Sequence, residues 1–135
     1  MTSTTPHNQD SIVLSLPINP AYVSAARLTA SSIANRIGFG IDEIEDVKMA
    51  VSEACTFVIR NAPNAEGGLF KIVFTVKNET IEIMIECQQS FPKITPEEEL
   101  GQALMIIKNF TDELIISYGE TFSAKLIKTH KRLEL

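Results

Sequence analysis

Tryptophan is absent from this chain, cysteine occurs only twice, and no apolar run approaches the length that a membrane span requires. Cys55 and Cys87 lack C-x-x-C spacing, and the two histidines, His7 and His130, stand at opposite ends of the sequence. This pattern argues against a zinc site and for two buried free thiols in a reducing compartment. Positive charge is also short: 12 Lys and Arg stand against 17 Asp and Glu, a formal net charge of −5. Phosphate backbones are bound by clustered positive faces, so no nucleic-acid partner is expected. The opening residues MTSTTPHNQD have neither the basic nor the apolar region of a signal peptide. They read as a short polar tail, 1–10, expected to be disordered. With no span and no leader in view, the expected location is the cytoplasm, away from any membrane.

What is present suffices for a core. The chain of 135 residues is 44% hydrophobic, which suits one domain, placed at 11–135. Ser11–Leu16 alternates, with Ile12, Leu14 and Leu16 on one side, as a half-buried strand does. Asn19-Pro20 offers a helix cap followed by proline at the first helical position. The helix after it carries Val23, Ala26, Ala30, Ile33, Ala34 and Ile37 at helical spacing, and Gly38 and Gly40 stop it. A second helix is expected from Asp42, capped by that carboxylate with Glu45 reaching back. Its inner stripe is Ile44, Val47, Val51, Ala54, Cys55 and Val58. Leu69–Val76 and Ile81–Glu86 form a hairpin about Lys77-Asn78-Glu79. Thr95-Pro96-Glu97-Glu98 signals a third helix that buries Leu100, Ala103, Leu104, Ile107 and Phe110. Glu113–Ser117 and Thr121–Lys128 close the chain as a second hairpin. The order β-α-α-β-β-α-β-β implies an α/β (α+β) fold, a two-layer sandwich of a mixed, mostly antiparallel sheet with helices on one face.

The stretch Asp42–Asn61, DEIEDVKMAVSEACTFVIRN, holds the chemistry. Its helix presents Glu53 as a candidate general base, and one turn later, on the same face, Phe57. A phenyl ring has no oxygen to offer a magnesium ion. Pro20–Thr56, together with the phrases ARLT, DEIEDVKMAVSEACT and LGQALMIIKNFTDEL, closely resembles the anti-sigma-factor serine kinases of bacteria. These belong to the GHKL ATPase superfamily, with the histidine-kinase catalytic domains and type II topoisomerases. The resemblance covers most of the chain and implies the GHKL, histidine-kinase-like ATPase fold.

In that family a helical Glu-x-x-x-Asn supplies the base and a magnesium ligand. Glu53 matches the glutamate, Phe57 replaces the asparagine, and Asn61 falls where many relatives have histidine. A strand-end Asp-x-Gly receives adenine in the family. Here Cys87 stands near the aspartate position and Gln89 near the glycine, while one residue of slip would bring Glu86 to the adenine position instead. A glycine-rich lid wraps the phosphates there. In this chain Glu99 replaces one lid glycine, Gly101 keeps the other, and Ser90 to Glu98 is short and has no glycine. By resemblance, Glu53 is then a vestigial base; Phe57, Cys87, Gln89, Glu99 and Gly101 are degenerate cofactor positions; and no metal ligand remains. No cofactor is expected.

Arg27 falls at the edge of the first helix's buried stripe, where the resemblance places an arginine that grips protein partners. The partners implied are a sigma factor or a STAS-type anti-sigma-factor antagonist, exchanged by competition for one surface, and the family's habit implies a homodimer. The expected function is that of an anti-sigma-factor-like regulator without ATP binding or kinase activity. The alternative is an active ATP-dependent protein serine kinase that uses Mg-ATP in a remodelled pocket.

Overall fold

The computed structural model describes residues 10–62, 67–89, 99–117 and 119–131, with Glu99 and Leu100 described by their backbone alone. Strand β1 spans Ser11–Pro17. A single 3-10 turn, Pro20–Tyr22, follows; the Asn19 side chain caps it by accepting the Ala21 N–H at 2.9 Å. Helix α1 runs Val23–Arg36 and α2 runs Ile41–Asn61. Between them Gly38 sits at φ +94°, a conformation that favours glycine, while Phe39 N–H reaches back to the Ala34 carbonyl and Gly38 N–H to that of Asn35. Strands β2 (Leu69–Lys77) and β3 (Thr80–Cys87) form a hairpin, α3 covers Glu99–Phe110, and β4 (Glu113–Ser117) and β5 (Phe122–Thr129) form the second. Of the expected tail, 1–10, residues 1–9 lie outside the described residues, as does the third helix's start signal at 95–98; the Asp10 carbonyl accepts the Val76 N–H at 2.8 Å.

One expectation fails at the start of α2. The cap is Gly40, and the residue that reaches back is Glu43, whose Oε1 accepts the Gly40 N–H at 2.9 Å. Four acids crowd this stretch, at 42, 43, 45 and 46. Glu43 is the one three residues after the cap, and it is held from a distance too: its Oε1 also meets His130 Nδ1 at 2.6 Å and its Oε2 accepts the Lys131 N–H at 2.8 Å.

The strands form one sheet in the order β1-β2-β3-β5-β4, and every described pairing is antiparallel. Side chains alternate between its faces. Phe70, Ile72, Phe74 and Val76 of β2, Ile81, Ile83, Ile85 and Cys87 of β3, and Phe122, Ala124 and Leu126 of β5 are all buried on one face. Helix α2 lies over β3 and β5, flanked by α1 on one side and α3 on the other, and α3 reaches β4. Alanines 26, 30 and 34 of α1 are fully buried, so that helix approaches closely. In α2 the buried stripe is Val47, Ala50, Val51, Ala54, Cys55, Phe57 and Val58. These side chains form one continuous core. The opposite sheet face carries Lys71–Glu86 and Lys77–Glu82 ion pairs at 3.5 and 2.9 Å.

The Glu43 carboxyl is held below its ordinary range. Burial pushes it up, but the N–H groups of Gly40 and Lys131 and the hydrogen bond and charge of His130 together pull it down. A carboxyl lowered in the folded state contributes stability above its unfolded titration range and loses it as pH falls through the folded value. In urea titrations the stability gap between the wild type and Glu43→Gln is therefore expected to be present above the ordinary carboxylate range and to close as pH falls through the lowered folded range.

Candidate functional site

Helix α2 brings Glu53 and Phe57 to one face, one turn apart. Glu53 is half-buried and borders a small cleft between α2 and α3, lined further by Thr56, Phe57, Arg60, Asn61, Gln102 and Ala103. The described residues leave about 60 Å³ there. Small-molecule pockets occupy about 300–1,000 Å³. Phe57 is 7% exposed, and its ring lies 5.4 Å from that of Phe122 on β5, tilted by 40°. It is a core residue whose edge meets the cleft. One turn further on, Asn61 Nδ2 donates to the Phe57 carbonyl at 2.8 Å, a bond within the helix. Glu53 thus keeps the position of a proton acceptor, while the side chain one turn on offers no oxygen.

The end of β3 places Glu86 and Cys87 on opposite faces of the sheet. Cys87 pairs with Phe122 and is fully buried on the helix-facing side of the sheet. Glu86 therefore points to the other face, where it pairs with Lys71. A carboxylate at the strand end exists, but on the wrong side of the sheet to share a ligand with Glu53. Gln89 is half-buried just past the strand. Both cysteines are free and buried, and burial pushes the Cys55 thiol up to about 12, so it is not a nucleophile at neutral pH. Among the described residues no cluster of His, Cys, Asp and Glu could hold a metal ion. Glu99 and Gly101 lie in the first turn of α3, and the lid stretch 90–98 lies outside the described residues.

Arg27 is distant from this chemistry in kind. It is half-buried on α1, and its Nη1 contacts Ser52 Oγ of α2 at 3.5 Å. Leu28 beside it is 66% exposed, and Met49, one turn before Ser52, is 52% exposed. Sequence reasoning did not single out these two, nor Arg60 and Gln102 at the cleft. Arg60 lies two helical turns from Glu53, so helical spacing alone would have put it on the same face. Gln102 and Met49 carry no such signal, since their exposure depends on how the helices pack.

Phe57 is expected to hold α2 on the sheet. Phe57→Ala should cost about 3–5 kcal/mol in denaturant unfolding, the range for emptying a buried phenyl site. If Phe57 were only a lid over solvent, the loss would fall below about 1 kcal/mol.

Among known proteins, residues 16–125 match the histidine kinase-like ATPase domain family. Serine-protein kinase RsbW of Bacillus cereus (strain Q1) is 30% identical over 139 aligned positions, covering 91% of this chain and 87% of that protein. Serine-protein kinase RsbW of Halalkalibacterium halodurans is 41% identical over 96 positions, covering 70% of this chain and 59% of its own length. A crystal structure of the RsbU and RsbW domains of a Mycobacterium tuberculosis protein superposes with a TM-score of 0.73 at 14% identity, over 92% of this chain and 33% of that one. That likeness speaks for the fold. The chain belongs to the histidine kinase-like ATPase domain family, alongside the RsbW serine-protein kinases.

Proposed function

We propose that this protein is an anti-sigma-type regulator that works by binding other proteins in the cytoplasm, without binding ATP or transferring phosphate. The observation that carries the reading is Phe57, packed on Phe122 in the position where a magnesium ligand would stand. A cation held against a triphosphate needs oxygen donors, and the Phe57 side chain has none to offer. Cys87 stands in the core where an adenine acceptor would be wanted, and the nearest carboxylate, Glu86, lies on the other face. Each missing charge-assisted contact costs a few kcal/mol, so together they remove useful nucleotide affinity.

The binding surface lies on the α1–α2 face. Arg27 is braced by Ser52 and flanked by the exposed apolar side chains of Leu28 and Met49. Arginine set among apolar contacts is a frequent interface anchor. The partner is a sigma factor or a STAS-type antagonist, and the two compete for this face. We take 11–135 as the folded unit and its active form as a homodimer. Strand β1 forms an open edge of the sheet, carries no charged residue, and leaves Val13 60% exposed, which suits pairing with a second copy.

A second reading, an active serine kinase with Glu53 as base, is favoured by the names of the relatives. One set of assays separates the two. Mixed with the STAS antagonist of its own cell and labelled ATP, the protein should bind the antagonist with no nucleotide present and transfer no label. Arg27→Ala should weaken that binding by at least about 2 kcal/mol, roughly thirtyfold. Label transfer that Glu53→Gln abolishes would establish the kinase instead. Light scattering on the same samples should report a dimer that Val13→Lys converts to monomer.

A further inference from the structure

Strand β5 ends at Thr129, and the chain beyond it turns onto the start of α2. The His130 N–H donates to the Glu79 carbonyl at 2.8 Å, and its ring lies over Phe39 with centroids 5.8 Å apart and planes 23° from parallel. Glu43 is the junction. Its Oε1 serves the Gly40 N–H and His130 Nδ1, and its Oε2 takes the Lys131 N–H. One turn further along α2, Asp46 Oδ2 meets Lys128 Nζ at 3.2 Å. Charge-assisted bonds of this kind are short and among the stronger hydrogen bonds.

The first turn of α2 has little else to hold it. Ile41 is 81% exposed, Asp42 is exposed, Ile44 is half-buried, and the first fully buried side chain of the helix is Val47. Phe39, by contrast, is only 5% exposed, with the His130 ring over it. Segments with few buried apolar anchors open locally at lower free energy than the core.

We propose that Glu43 and His130 form a latch that closes the end of β5 over Phe39 and the first turn of α2, and that opens as one unit while the sheet stays folded. Opening releases the chain after Thr129, frays residues 40–46 and exposes the Phe39 ring. The latch is thereby a conformational device at the end of the molecule opposite the Glu53 cleft along α2. Its two halves, α2's first turn and the end of β5, move together because Glu43 bonds both, with the Asp46–Lys128 pair beside it.

Native-state hydrogen exchange by NMR tests this directly. Two variants separate the bond from the packing: Glu43→Gln removes the charge, and His130→Phe keeps a ring over Phe39 without the nitrogen. In both, the amides of Ile44 to Val47 and those of positions 130 and 131 should exchange about tenfold faster, and by matching factors. The amides of Phe74 and Ile83 in the central strands should be unchanged. The double variant should exchange no faster than Glu43→Gln alone. Acceleration confined to positions 130 and 131, acceleration that spreads equally into β2 and β3, additive effects in the double variant, or no change at all would each overturn the latch.

Discussion

The contact between Phe57 and Phe122 fixes more of this protein than any other. It seats the second half of α2 on β5, beside the point where Cys87 pairs with Phe122 and closes the end of β3. Aromatic pairs bury large area and prefer tilted or offset rings at about this separation, as here. Phe57, one turn after Glu53, thus belongs to the core. An asparagine there would leave a void and a polar group beneath the helix. On the proposed function, the side chain that packs the core is also the one that denies a cation its oxygen.

Around that contact the chain divides into two surfaces with different chemistry. The cleft between α2 and α3 retains Glu53 but is bordered by Arg60 and Gln102 and leaves little room. The α1–α2 face presents an arginine braced by a hydroxyl and bordered by exposed apolar side chains. The first surface holds one carboxylate, Glu53, in a narrow cleft. The second has the composition of a docking site, with arginine and methionine, both enriched at interfaces, at its centre. The two surfaces share no side chain, so under the proposed function binding at α1 does not draw on the groups at the Glu53 cleft.

Much of the architecture was legible in the sequence. The order of elements, the two hairpins, and the buried face of α1 follow from apolar periods of two and of three to four and from turn residues. These signals are local and strong, since a slip of one residue would turn a whole strand inside out. The start of α2 was misread. Asp42 offers a side-chain cap, but the helix starts two residues earlier, with Gly40 as cap and Glu43 three residues on, a local spacing that glycine's lack of a side chain hid. The further bonds of Glu43 to His130 and Lys131 lie far along the chain. The cleft was legible in part. That Phe57 cannot bind a cation is evident from its side chain, whereas its ring partner Phe122 and the burial of Cys87 opposite Glu86 depend on strand register. Arg27 was visible at the edge of its stripe, but its brace, Ser52, and its neighbour Met49 depend on how α1 crosses α2.

The claim on which the rest depends is that packing has displaced nucleotide chemistry. Calorimetric titration of the purified protein with Mg-ATP tests it most directly. The expected outcome is no saturable heat up to millimolar nucleotide, in a protein that is folded without ligand and unchanged in melting temperature by its addition. A micromolar dissociation constant, accompanied by a rise in melting temperature, would contradict it.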